Sequence, residues 1–137
     1  MGAWATDSFG CDEACDWADR LRRSTDFVAV ETALDEVLAT ADDVELHALA
    51  GIGAICAAEA VARLQGRFGL RDAYSQDVDD WVERVALQPS PALIDKARRA
   101  LDRVLAERSE LRLLWEDAGD LVVAWRAGVQ ELKVRVG

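Results

Sequence analysis

Residues 43–65 read DVELHALAGIGAICAAEAVARLQ, and this stretch decides the fold. From Leu46 through Ala58 it holds no Asp, Glu, Lys or Arg. Laid on a helix at about 100° per residue, Ile52 and Ile55 point one way, Leu46 and Leu64 the opposite way, and Val61 between them. A helix that is apolar on nearly every side belongs in the middle of a bundle rather than on its surface. Gly51, Gly53, Ala54, Ala57 and Ala58 would let neighbouring helices come close. Gly66 and Gly69 stop the pattern at its C-terminal end.

Working outward, the same helical spacing recurs and strand-type alternation does not. It predicts helices over 12–23, 27–40, 43–65, 76–87, 91–106, 109–118 and 120–135, preceded by a short extended arm over 1–10. The first helix has Ala14, Trp17, Ala18 and Leu21 as its buried stripe. Ser24, Thr25 and Asp26 offer caps for the second, which buries Phe27, Val30, Leu34, Val37 and Leu38. Pro89-Ser90-Pro91 breaks the chain, with Pro91 in the first turn of the next helix. Ser109 is a cap, and Gly119-Asp120 interrupts the final helical stretch. The fold class is all-α: one compact domain over 1–137, a bundle of six to seven helices.

The chain has 137 residues, 51% of them apolar and 31% charged, the balance of a folded domain. Its formal net charge is −10, which excludes nonspecific affinity for nucleic acid or anionic membrane. That charge is uneven: residues 1–50 carry 12 acids against Arg20, Arg22 and Arg23. The remaining 87 residues are nearly neutral, with 14 acids and 13 bases. Three cysteines, Cys11, Cys15 and Cys56, are an odd number and point to a reducing interior. The start lacks a secretory pattern, and the apolar run Leu49–Ala58 is too short to span a bilayer. The expected location is cytoplasmic.

Several residues could carry chemistry. Asp12 and Asp16 share a face of the first helix and could hold a divalent cation or share a proton, although acids in a first turn are also favoured by the helix dipole and Asp16 is placed to pair with Arg20. Glu59 stands in a run of small and apolar residues. Buried, it would act as a general acid or base, or be a satisfied core glutamate; at a bundle edge it would pair with Arg63. Catalysis by Glu59 would gain from Asp12 or Asp16 if they converge on it. Cys11 and Cys15 lie near a helix N-terminus, which favours thiolate, beside acids that oppose it. His47, the single histidine, would have to reach one of them to form a Cys–His pair. Trp4, on the arm, and Trp115 are candidates for walling a pocket. The cysteine and histidine spacing matches no zinc signature, and no phosphate loop, dinucleotide fingerprint or nucleophile elbow is present. No metal or cofactor is expected.

The opening Met1-Gly2-Ala3-Trp4, followed by Phe9, Asp12, Ala14, Asp16 and Trp17, resembles the N-terminus of a bacterial family known only as domain of unknown function 4259. The small-residue run Ala57-Ala58-Glu59-Ala60-Val61-Ala62 is similar to that family too. So is Ser109-Glu110-Leu111-Arg112-Leu113-Leu114-Trp115-Glu116, with Trp125-Arg126 after it. The chain departs from the family pattern at Ala5 and Asp7, where glycine is usual, and at Cys11, where asparagine is usual. The resemblance implies a small helical bacterial protein and carries no activity.

The function expected from these readings is protein interaction, inhibitor- or immunity-like, with the acidic first third docking on a basic partner. The alternative is a small cofactor-independent enzyme using Glu59 with Asp12 or Asp16, its pocket walled by Trp4, Cys11, His47 or Trp115. A homodimer is a further possibility, signalled by an apolar face left open in the monomer.

Overall fold

The computed structural model describes residues 12–73 and 75–137, so the calls on Trp4, Cys11 and the extended arm lie outside the described residues. The described chain forms seven helices: α1 (Asp12–Arg22), α2 (Val28–Leu38), α3 (Ala48–Leu64), α4 (Gln76–Val85), α5 (Pro91–Leu105), α6 (Glu110–Asp117) and α7 (Leu121–Val136). No strand occurs among these residues, only an isolated parallel bridge between Leu46 and Ser109. The architecture is an all-α bundle with α3 on its axis. Fourteen of the 17 residues of α3 are buried, and each of the other six helices packs against it. Ala54, Ala57, Ala58 and Ala62 have no exposed surface, so neighbours reach the α3 backbone closely.

Local signals start and stop most of the helices. In α1, Asp12 and Glu13 in the first turn and Arg20 and Arg22 in the last complement the helix dipole. The Asp26 carboxylate accepts from the Val28 N–H at the start of α2 (3.1 Å). Ser90 accepts from Leu93 N–H ahead of α5, and Ser109 from Arg112 N–H ahead of α6. Gly66, at φ +80°, lets the Arg67 N–H return to the Ala62 carbonyl at the end of α3.

The start of α3 differs from the sequence expectation: the helix begins at Ala48, not Asp43. Residues 43–47 are claimed by tertiary partners. The Leu46 N–H donates to the Arg108 carbonyl (2.8 Å), and the Leu46 carbonyl accepts from Glu110 N–H (2.9 Å). The buried Arg103 guanidinium donates to the carbonyls of Ala41 (3.1 Å) and Val44 (2.6 Å). Leu46 is buried by this clamp, and His47 occupies the cap position without a capping side chain. The cap comes instead from Glu110, whose Oε1 accepts from the Ala48 N–H at 2.7 Å.

Four of the five tryptophans fall among the described residues, and all four are buried. Trp115 and Trp125 stack at 6.4 Å between α6 and α7, and Trp81 Nε1 donates to the Ser24 carbonyl. No helix among the described residues is long and apolar enough to cross a membrane.

Helix α4 ends on Ala86 at φ +48°, a left-handed conformation that favours glycine. Ala86→Gly should therefore stabilise the protein by about 0.5–1 kcal/mol. Urea denaturation of both proteins measures it.

Candidate functional site

Two constellations stand out, one buried and one open. The buried one centres on Glu59, whose side chain is 4% exposed. Its position one turn before Arg63 on α3 brings Arg63 Nε to Glu59 Oε1 at 3.1 Å. From α7, Arg135 donates Nη1 to Oε1 (2.9 Å) and Nη2 to Oε2 (2.8 Å), a bidentate clamp. Arg63 goes on to donate Nη1 to Asp79 of α4 and Nη2 to the Leu70 carbonyl. Asp79 accepts from Ser75 Oγ (2.9 Å), and Arg135 also holds Glu131 (2.6 Å). Burial works against the charge on Arg135, but the hydrogen bonds from Glu59 and then Glu131 outweigh it and raise its pKa above the ordinary value. The loop after α3 covers the cluster. Phe68 lies beneath the Arg63 and Arg71 guanidinium groups, and a side chain at Gly69 would come within 2.7 Å of Arg135.

The sequence alternatives for Glu59 were a buried catalyst, a satisfied core glutamate or a partly exposed pair with Arg63. The structure shows a satisfied core glutamate: the pair with Arg63 is present, but buried, and a second arginine closes it. Both oxygens accept from guanidinium groups, so the carboxylate serves as an anchor tying α3 to α7. Removing one member of such a cluster leaves an uncompensated buried charge. Glu59→Gln should cost about 3–5 kcal/mol of stability, read from chemical denaturation.

The open constellation is a groove of about 560 Å³ between α1 and α2, floored by α3. From α1 it is lined by Glu13, Asp16, Trp17 and Arg20. From α2 come Ala29, Thr32, Ala33 and Glu36. Each set follows the spacing of one complete helical face. The floor is Leu49, Ile52 and Gly53 of α3. Trp17, Ala33 and Ile52 are nearly buried at the bottom, while Leu49 at the edge is 66% exposed. Glu13, Asp16 and Glu36 form no ion pair among the described residues, nor does Arg20, so this lining carries a net −2.

The remaining sequence candidates are dispersed. Asp16 lines the groove; Asp12 is exposed at the first residue of α1 and is not among the lining residues. Glu59 lies six residues beyond Gly53, about 9 Å further along α3, and lines no part of the groove. Among the described residues no three His, Cys, Asp or Glu side chains gather as a metal would require. His47 is exposed, whereas Trp115 and Cys56 are buried. Sequence reasoning missed Glu13, Glu36 and Arg135. For the first two the signal was present, as acids bordering the apolar stripes of α1 and α2. For Arg135 none was, because its partner is 76 residues away.

Burial pushes the Cys15 thiol up, and the carboxylates of Asp12, Asp16, Asp77 and Asp72 push it further. The balance left open between helix terminus and neighbouring acids thus goes against the thiolate, through burial first and the acids after it. The thiolate is the reactive form, so Cys15 should alkylate more slowly at neutral pH in the folded protein than in the denatured chain. Mass spectrometry of a Cys11→Ser variant treated with iodoacetamide measures this.

No curated protein and no solved structure matches the chain. One family profile does, over residues 2–128, ending before Arg135. The helical architecture, the N-terminal pattern and this match over nearly the whole length agree, and the chain belongs to the family described as Domain of unknown function (DUF4259).

Proposed function

We propose that this protein is a cytoplasmic bacterial interaction module, inhibitor- or immunity-like, which docks on a basic protein through its acidic first third. The observation that carries the reading is the groove between α1 and α2. Glu13, Asp16 and Glu36 stand around an apolar floor and form no ion pair among the described residues. Charges of one sign beside exposed apolar surface steer and then hold an oppositely charged partner. Two other acids of this region are already engaged: Asp19 by Arg22 and Arg23, and Asp35 by Lys96 at 2.8 Å. The groove carboxylates stay available to a partner, as do the exposed Asp12, Glu31, Asp43 and Glu45, but only the groove sets its acids around an apolar floor. The net charge of −10 disfavours nucleic acid and anionic lipid as that partner.

The triple variant Glu13→Lys, Asp16→Lys, Glu36→Lys tests this. Wild-type protein, cross-linked in the cells that produce it, should retain a basic partner whose affinity for the purified chain falls as salt rises. The variant should bind that partner at least tenfold more weakly, measured by calorimetry, with helicity unchanged. Undiminished binding would remove the acidic docking reading.

A further inference from the structure

We infer that the groove between α1 and α2 seats one amphipathic basic helix of the partner protein. Its apolar stripe would lie on Trp17, Ala33 and Ile52, with its lysines or arginines against Glu13, Asp16 and Glu36. The inference rests on the docking reading above and adds the shape and chemistry of what docks.

The geometry is that of a bundle with one position open. Two helices lean on a third, and each wall offers residues at i, i+3, i+4 and i+7, the face a packed neighbour would meet. Those faces run about two turns, about 10 Å, which suits the ridge of a helix laid lengthwise. A small-molecule site would enclose its ligand on most sides. This groove is about half open to solvent, and the exposed Leu49 extends its apolar edge outward. Gly53 leaves room in the floor: a Cβ there would meet only Ala33, at an ordinary 3.8 Å.

Charge selects the occupant. A lining of three carboxylates and Arg20 favours a helix with bases on its flanks and an acid opposite Arg20. The chain's own first 11 residues bring Asp7 and no lysine or arginine. A second copy brings a further net −10. Neither complements the lining as a basic helix does.

The test titrates the isotope-labelled full chain with two helical peptides of about 16 residues that share one leucine stripe. One is flanked by lysine, the other by glutamate. The lysine peptide should shift backbone amides of α1, α2 and the Leu49–Gly53 turn, and the glutamate peptide should not. Gly53→Leu fills the floor at a helical position. Thr32→Trp crowds the wall from an exposed one, so it reads the groove even if the first variant does not fold. Each should weaken lysine-peptide binding at least tenfold. Shifts elsewhere on the surface, or unchanged affinity in both variants, would overturn the inference. So would nuclear Overhauser contacts from residues 1–11 to Ile52 without peptide, which assign the groove to the chain itself. A dimer dissociated by Thr32→Trp would overturn it in favour of a second copy. A natural partner lost on charge reversal but retained by Gly53→Leu and Thr32→Trp would keep the docking reading and sink the helix seat. A partner indifferent to all the variants would sink both.

Discussion

A helix enclosed on all sides can carry a charge only if a partner reaches it, and α3 carries two. Glu59 and Arg63 sit one turn apart in a segment whose neighbours are almost all small and apolar. Both side chains are almost wholly buried, so the desolvation of each ion must be offset inside the protein. Arg135 from α7 and Asp79 from α4 supply that compensation. The central helix is thereby tied to elements far apart in the chain. The loop above, with Phe68 between two guanidinium groups and Gly69 against Arg135, follows the same requirement, because its backbone carbonyls take up remaining donors.

The opposite end of α3 is governed by backbone hydrogen bonding rather than charge. Its first N–H groups have no capping side chain at His47, and a carboxylate 62 residues away serves instead. Arg103 directs its terminal donors to carbonyls of two loops, holding residues 41–46 in a turn that ends in the Leu46 bridge, where sequence periodicity alone would start the helix at Asp43. A helix start set in this way depends on α5 and α6 already being in place. The local propensity of 43–47 therefore yields to tertiary bonds.

These two sets of contacts give the two halves of one helix different surroundings. The C-terminal half of α3, with Glu59 and Arg63, is buried and engaged in ion pairs. The N-terminal half emerges as the floor of a groove whose surrounding carboxylates form no ion pair among the described residues. Placing apolar surface and uncompensated charge together at one exposed location costs stability, and such a combination is characteristic of surfaces that meet another molecule.

The residues alone determined the helical class, the central position of the 46–64 segment, the buried stripe of α1 and the cap at Ser109. Each is a local property: a period, an all-round apolar pattern, or an oxygen three residues ahead of an N–H. The uneven charge, too, is arithmetic on the chain. Only the tertiary structure decided that Glu59 is clamped by Arg135, that α3 starts at Ala48, and that Glu13, Asp16 and Glu36 share one groove while Asp12 and Glu59 stand apart from it. Those outcomes depend on which helices become neighbours, and that follows from packing the whole chain around α3 at once, a constraint no window of sequence contains.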